Sequence, residues 1–335
     1  MAKTSTENVS TVSYPPKAKV GLALGSGSAR GWAHIGVIRA LVDAGIEIEY
    51  VAGTSIGALV GAAFALNKMD VLEDFARQLD WKQIVSFLDF IFPKSGLIDG
   101  KRITDFFRSH VHDINIEEMS LRYCAVATDL VTGSEVVLNQ GDLIEAIRAS
   151  ISIPGIFAPV NKSDSFLVDG GLVNPVPVSV ARDMGADYVI AVNLNHSITD
   201  ERSTKSIQAV TSSMIDQIGK STRQKSGLGQ ALSGRLNEFN SPALSQVSQW
   251  MRSNPAPSIF DVLTTSINIM EVQVTTTGLA ANPPDLLIQP KLRDIRFLEF
   301  HRAEEAIAEG YREAMIQIEE EWKYVVKRTG TRIKC

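Results

Sequence analysis

The sequence predicts an α/β protein built on a mainly parallel β-sheet. Short apolar runs typical of buried strands end at turn residues, and each is followed by apolar residues at helical spacing. Residues 19–24 are interpreted as a strand, 32–44 as a helix that stops at Gly45, 46–52 as a second strand and 56–66 as a second helix. Strand, helix, strand and helix in this order favour parallel strands joined by right-handed crossovers.

Further elements follow along the chain, and the composition divides it into three parts. We expect a flexible tail over 1–17, a core over 18–198 and a mostly helical extension over 199–335 packed on that core. The remaining predicted elements are a helix at 71–92, a hairpin of 122–129 and 135–138 around Thr132-Gly133, a helix at 142–150, strands at 166–168 and 186–194, helices at 206–220 and 259–279, a strand at 286–289 and a long amphipathic helix at 297–326.

Composition and charge exclude several classes of protein. The 335 residues include 33 basic and 38 acidic side chains, a formal charge of −5, which argues against nucleic-acid or anionic-membrane binding through bulk charge. Cys124 and Cys335 form neither a metal-type spacing nor a disulfide framework, so a reducing compartment is expected. Residues 1–14 lack the apolar segment of a signal peptide, which favours a cytoplasmic location.

One uncharged stretch could be taken for a membrane span. Residues 50–66 carry glycines at positions 53, 57 and 61, the spacing of paired membrane helices. The first residues of this stretch, however, are typical of a strand end and a turn. That leaves a helix of about 11 residues over 56–66, the length of a buried core helix. We therefore expect at most peripheral contact with the inner membrane.

The first motif that could carry chemistry is Gly53-Thr54-Ser55-Ile56-Gly57. A Gly-x-Ser-x-Gly at a strand-to-helix turn presents the serine hydroxyl at a helix N-terminus, where the helix dipole favours developing negative charge. The motif is short enough to arise by chance, and a helix N-cap is the simpler interpretation of Ser55. The predicted strand before the motif and the apolar helix after it favour a catalytic role for Ser55.

A second motif, Gly25-Ser26-Gly27-Ser28-Ala29-Arg30-Gly31, lies between the first strand and the first helix. A loop of small residues at a helix N-terminus leaves N–H groups free to bind an anion. A dinucleotide phosphate would require glycine where Arg30 stands. The oxyanion of an acyl transfer fits better, since it needs the same backbone donors. A tight turn without a ligand is the simpler alternative.

The third motif is Asp169-Gly170-Gly171, which by itself is typical of a hairpin turn. It gains a functional interpretation only because Ser55 would need a base. Of the carboxylates elsewhere, Asp129 stands before Thr132-Gly133 and has the position of a turn residue. None of the five histidines has a motif around it, although one follows a strand, where a triad histidine could stand. These histidines are His34, His110, His112, His196 and His301.

Taken in this order, the three motifs resemble the pattern of patatin-like phospholipases, and the bacterial RssA-type branch resembles this chain most. Residues 148–154 (Arg-Ala-Ser-Ile-Ser-Ile-Pro) and 299–303 (Glu-Phe-His-Arg-Ala) also resemble stretches of that branch, so the resemblance extends over about 19–310. It implies a three-layer α/β/α fold with a mainly parallel central sheet, a catalytic core over 18–198 and a helical C-terminal extension.

The resemblance also implies a chemistry. Ser55 would be the nucleophile and Asp169 the base of a dyad without histidine, acting on acyl esters of lipids. Backbone N–H groups around Gly27 and Ser28 would hold the oxyanion, and Arg30 would brace the loop. Ser26 and Ser28 depart from the pattern, since many members have glycine there. No cofactor, metal or nucleic-acid partner is implied.

An acyl chain needs an apolar groove. Phe87-Leu88 and the segment 90–93 are candidates for its lip or for a lid, and core packing is the simpler explanation for both. Two other functions stay open on the sequence. One is a classical hydrolase with a Ser-His-Asp triad, in which His196 would be required. The other is a non-catalytic regulatory protein that binds acyl lipids.

Overall fold

The structure, a computed structural model, describes residues 18–79, 108, 114–162, 165–196 and 259–329. Several predictions fall outside these residues. They are the flexible tail, the helix at 206–220, the lip candidates at 87–93, and His110 and His112.

In the described part of the chain, eight strands form one sheet, and five of them run parallel. β3, β2, β1, β7 and β8 lie side by side in that order, with every pairing among them parallel, and β4, β5 and β6 add antiparallel pairings at the β3 end. The predicted mainly parallel sheet is therefore confirmed. The strands are β1 Val20–Leu24, β2 Ile48–Thr54, β3 Arg122–Asp129, β4 Glu135–Leu138, β5 Val160–Lys162, β6 Ser165–Asp169, β7 Tyr188–Val192 and β8 Leu286–Ile288.

Helices cover both faces of this sheet. Leu22 and Leu24 point into a large apolar core with α1, α2, α4 and α7, whereas Ala23 points into a smaller core with α5 and Leu279 of α6. The three-layer prediction is thus confirmed, and no described helix is both long and apolar enough to cross a membrane. The helices are α1 Ala33–Asp43, α2 Ile56–Ala65, α3 Met69–Gln78, α4 Leu143–Ser150, α5 Val178–Asp183, α6 Ile259–Ala281 and α7 Ala303–Thr329.

Some element boundaries differ from the predicted ones. The second strand continues to Thr54, so it leads directly into Ser55. In the described part of the chain, the helix predicted over 71–92 ends at Gln78, and its later residues lie beyond that part. β5 was not predicted, because three half-exposed residues carry no recognisable alternation. The last helix begins only at Ala303, after a 3₁₀ turn over Phe300–Arg302.

The pairing along β3 brings two other strands end to end. Residues 125–128 of β3 pair with β4 on one edge. On the opposite edge, Val126 pairs with Thr54, the last residue of β2, and the next residue, Ala127, pairs with Asp169, the last residue of β6. Because β6 runs antiparallel to β3, its carboxyl end points at the carboxyl end of β2. The residue that follows β2 therefore stands beside Asp169.

Two glycines allow α1 and α7 to pack in direct backbone contact. A Cβ on Gly36 of α1 would collide with the carbonyl oxygen of Ile307 and lie 2.6 Å from the amide nitrogen of Tyr311. A Cβ on Gly310 of α7 would likewise collide with the carbonyl oxygen of Ala33. The obstacle on each side is backbone, which cannot turn away as a flexible side chain would. The C-terminal helix is thus tied to the first helix of the core.

We expect Gly36→Ala to lower the free energy of unfolding by about 1–3 kcal/mol, the usual penalty of overpacking. Gly278→Ala in α6 is the matched control, since a Cβ there meets no atom within 4 Å. It replaces glycine within a helix and should raise stability by about 0.5–1 kcal/mol. Urea unfolding of both variants measures the difference, and equal effects would contradict the packing argument.

Candidate active site

Ser55 occupies a sharp turn between β2 and α2. Its backbone has φ 56° and ψ −124°, a conformation that is costly for a residue with a side chain. The Ser55 N–H donates to Ser150 Oγ at 2.9 Å, and Ser150 in turn donates to the carbonyl of Val126 at 2.6 Å. The turn is therefore held from α4 and from β3 at once. Ser55 is only 4 % exposed.

The two glycines of this motif let α2 start directly against the sheet. A Cβ on Gly53 would lie 2.5 Å from the amide nitrogen of Ala58, and one on Gly57 would collide with the carbonyl oxygen of Leu24. Any side chain at either position would push the helix away from β1 and β2. The spacing Gly-x-Ser-x-Gly is thus explained by backbone contact on both sides of the serine.

Asp169 is placed against Ser55 by the pairing of β6 with β3. Ser55 Oγ donates to Asp169 Oδ2 at 2.5 Å, and the Gly171 N–H donates to Oδ1 at 2.7 Å. The backbone of Asp169 is held as well, since its N–H donates to the carbonyl of Ser152 and its carbonyl accepts from Thr128 Oγ1. Both carboxylate oxygens are therefore oriented before any substrate arrives.

Burial changes the acidity of this carboxyl group. Asp169 is 3 % exposed, and loss of hydration raises its pKa from 3.8 to about 7. The hydrogen bonds from Ser55 and Gly171 act in the opposite direction, since they stabilise the charged form. A carboxylate with a pKa near neutrality is a far better proton acceptor than one in water.

The glycine/serine loop leads from β1 into the first helix and carries two free backbone donors. The N–H groups of its flanking residues Gly25, Ser26 and Ala29 are bonded to Val192, Pro175 and Phe297 respectively. Within the described chain, by contrast, the N–H groups of Gly27 and Ser28 donate to no protein acceptor. Both residues border the same pocket as Ser55 and Asp169.

Ser28 keeps the backbone conformation that glycine would supply. Its φ is 51°, in the left-handed region that most residues avoid. Its hydroxyl donates to the carbonyl of Phe297 at 2.6 Å, and the following N–H, of Ala29, donates to the same carbonyl at 3.1 Å. The departure from the glycine pattern therefore leaves the loop shape intact, and a segment before the last helix holds it.

Arg30 lies fully inside the protein beneath this loop. Its Nε donates to the carbonyl of Gly27 at 3.2 Å. Burial lowers its pKa to about 10, so the guanidinium remains charged at neutral pH. The next residue, Gly31, has no room for a side chain, because a Cβ would collide with Ile56 at the start of α2. This contact sets the loop against the serine turn.

None of the described histidines bonds to Ser55 or Asp169. His34 is completely buried and its Nε2 donates to the carbonyl of Gly25 at 2.7 Å, while burial lowers its pKa to about 4. Burial also lowers the pKa of His196, and His301 is exposed. Asp129 is the last residue of β3, and its Oδ1 accepts from the N–H groups of Val131 and Thr132 in the turn that follows.

The pocket over Ser55 is small and contains residues that the motifs did not indicate. The volume open to the centre of a water molecule is about 10 Å³. Phe297, from the segment before α7, and Ile267 and Glu271, from α6, were not predicted. One signal for Glu271 was available: it is the sole charged residue between positions 262 and 281. The pocket is lined by Gly27, Ser28, Ser55, Ile153, Pro154, Asp169, Leu172, Ile267, Glu271 and Phe297.

Comparisons with known proteins show which family this chain resembles. The family profile of patatin-like phospholipases matches residues 22–182. An uncharacterized NTE family protein of Mycobacterium tuberculosis is 35 % identical over 320 residues, which cover 87 % of this chain and 89 % of that protein. Patatin-like phospholipase domain-containing protein 7 of Mus musculus is 34 % identical over 182 residues, covering 52 % of this chain and 13 % of that protein.

A solved structure, VipD from Legionella pneumophila, aligns with 91 % of this chain and 67 % of its own at 12 % identity and a TM-score of 0.44, a likeness too distant to bear on function. The family profile and the mycobacterial relative, which is similar over nearly its whole length, are sufficient. The chain belongs to the patatin-like phospholipase family of lipid ester hydrolases.

Proposed function

We propose that this protein hydrolyses acyl esters of lipids with Ser55 as nucleophile and Asp169 as the general base. The observation that carries the proposal is the 2.5 Å hydrogen bond from Ser55 Oγ to Asp169 Oδ2 inside a buried site. The free N–H groups of Gly27 and Ser28 beside it support the same chemistry, because developing oxyanions are stabilised by such donors.

The reaction follows from these positions. Asp169 accepts the Ser55 proton while Ser55 Oγ forms a bond to the ester carbonyl carbon, and the carbonyl electron pair moves onto oxygen. The N–H groups of Gly27 and Ser28 hold that oxyanion. When the carbonyl re-forms, the bond to the alcohol oxygen breaks and the alcohol takes the proton from Asp169. Water then repeats the attack on the acyl-enzyme, which releases the fatty acid and restores Ser55.

The surroundings of the histidines support a dyad over a triad. His34 is the histidine nearest in sequence to the loop, yet its Nε2–H is committed to the Gly25 carbonyl and burial keeps the ring neutral. Asp169 makes its side-chain hydrogen bonds with Ser55 and Gly171, so it orients the serine itself rather than an imidazole.

The apolar part of the pocket lining supports an acyl chain as the bound group. Ile153, Leu172, Ile267 and Phe297 border the space beside Ser55. A volume of about 10 Å³ holds one water molecule, so binding an acyl chain requires the lining to move. The RssA-type branch, the domain boundaries, a cytoplasmic location and peripheral contact with the inner membrane remain predictions.

Ser55 should be labelled by a fluorophosphonate probe, because an activated serine beside an oxyanion site attacks phosphorus as it attacks a carbonyl carbon. Ser55→Ala should fold and lose both the label and the release of fatty acids from a mixed lipid extract. Ser134→Ala, in the exposed turn before β4, is the control and should keep both. Mass spectrometry of the labelled peptide gives the answer, and a labelled Ser55→Ala protein would rule out the assignment.

Asp169→Asn should reduce ester hydrolysis by roughly 10²–10⁴-fold, the usual loss when a general base is removed. In the unaltered enzyme, kcat/KM should rise with pH through about 7, since Asp169 accepts a proton only when ionised. A histidine base would give a similar rise of kcat/KM with pH, so the pH profile does not distinguish the two bases and the variants must do so. His196→Gln should cost little. A folded His196→Gln protein as inactive as Ser55→Ala would favour the triad.

The same pKa shift predicts a pH-dependent stability difference. The folded pKa of Asp169, about 7, lies above the ordinary 3.8. The contribution of Asp169 to the free energy of unfolding therefore falls as pH rises from 3.8 to about 7, and it is lowest above pH 7. Asn carries no charge to bury. The melting temperature of Asp169→Asn relative to the unaltered protein should therefore rise between pH 5 and pH 8. A difference that stays constant across this range, measured by calorimetry, would show that Asp169 has no such shift.

A further inference from the structure

A second buried carboxyl group lies in the site, and the mechanism above does not use it. Glu271 is 6 % exposed, belongs to α6 and borders the same pocket as Ser55 and Asp169. It packs against the turn after β6: a Cβ on Gly171 would collide with Glu271 Oε1 and lie 3.1 Å from Asp169 Oδ1. The second glycine of Asp-Gly-Gly thus leaves space for a carboxyl group beside Asp169.

Glu271 joins three separate parts of the chain through hydrogen bonds. Asn195, which follows β7, donates from Nδ2 to Glu271 Oε2 at 3.1 Å and to Ser26 Oγ at 3.1 Å. Ser26 and Asn195 are both 1 % exposed, so water cannot replace these contacts. The loop that carries the Gly27 and Ser28 donors is thereby tied to α6.

The charges around Glu271 determine where the protons lie. The charged groups that act on it are Asp169, from the turn after β6, and Arg30, beneath the glycine/serine loop. Burial and the Asp169 charge raise the pKa of Glu271 to about 8, and Arg30 opposes them. Two carboxylates therefore share a dry site with one cation. In the reactive form Asp169 is ionised so that it can accept the serine proton, and its negative charge favours the protonated form of Glu271.

We propose that Glu271 is a positioning residue that works as a neutral carboxylic acid, holding Asn195, and through Asn195 also Ser26, so that the Gly27 and Ser28 donors face the oxyanion. This proposal rests on the proposed function of Ser55 and Asp169. During attack the negative charge moves from Asp169 to the oxyanion beside this loop. An ionised Glu271 would add a second negative charge there and oppose the transition state, so activity declines as Glu271 loses its proton.

The test compares kcat and KM across pH for the unaltered enzyme, Glu271→Gln and Glu271→Ala, with p-nitrophenyl butyrate as the ester. Without substitution, kcat should fall above pH about 8. Glu271→Gln keeps hydrogen-bonding atoms but cannot ionise, so its kcat at pH 7 should stay within about fivefold and its alkaline decline should disappear. Glu271→Ala should lose roughly 10–100-fold in kcat, with less change in KM, as expected when the buried Asn195 amide loses a hydrogen-bond partner.

Gln273→Ala, on the exposed side of the same helix, is the control for substitution in α6 and should keep the full pH profile. A Glu271→Gln enzyme that retains the alkaline decline, or one as impaired as Glu271→Ala, would overturn the proposal.

Infrared spectroscopy separates this proposal from the proposed function, since it needs no turnover. Asp169, with a pKa of about 7, contributes a protonated-carboxyl band of its own at pH 7, so the signal of Glu271 is obtained as a difference. The spectrum of the unaltered protein minus that of Glu271→Gln should contain a protonated-carboxyl band at pH 7, and the same difference should appear in a Ser55→Ala background. Absence of that band at pH 7 would overturn the role of Glu271 even in an active enzyme. If the band is present but no hydrolysis depends on Ser55, the proposed function fails and the neutral Glu271 stands as a structural fact only.

Discussion

The candidate site depends on two strands that end head to head along a third. β2 ends where it pairs with Val126 of β3, and β6, which runs in the opposite direction, ends where it pairs with Ala127. A hydroxyl and a carboxylate more than a hundred residues apart in sequence therefore share a hydrogen bond. Neither strand could shift its register by one residue without turning its last side chain to the other face of the sheet. The antiparallel end of an otherwise parallel sheet is thus the feature that assembles the site.

Burial gives this pair its chemistry. In water, an aspartate is too weak a base to activate a serine, and the same carboxyl group in a dry pocket becomes a group that titrates near neutrality. In this buried site the charges of Asp169, Glu271 and Arg30 act on one another with little screening by solvent. Hydrogen bonds from Ser55 and Gly171 to Asp169 and from Asn195 to Glu271 satisfy carboxyl oxygens that water would otherwise hydrate.

The C-terminal third takes part in the site rather than only packing behind it. The carbonyl of Phe297 holds both Ser28 and Ala29 of the glycine/serine loop, and α6 supplies Glu271 and Ile267 to the pocket. β8 extends the central sheet beside β7, and α7 lies against α1 through Gly36 and Gly310. The glycine/serine loop beside Ser55 is thus held from the region to which the resemblance in sequence extends.

The sequence by itself determined the motif residues and most of the described elements, although not β5 or the element boundaries. Local patterns suffice for these, because a buried strand, an amphipathic helix and a glycine-flanked serine each leave a short-range signature. The resemblance implied a dyad of Ser55 with Asp169 and donors around Gly27 and Ser28, but only the tertiary structure decided the strand pairing that brings the dyad together and the bonds that leave those two N–H groups free. Tertiary structure alone decided the network in which Asn195 joins Glu271 to Ser26. Pairing across 76 to 169 residues of chain leaves no local pattern. A pKa set by burial likewise depends on every element that excludes water, and not on the residue's neighbours in sequence.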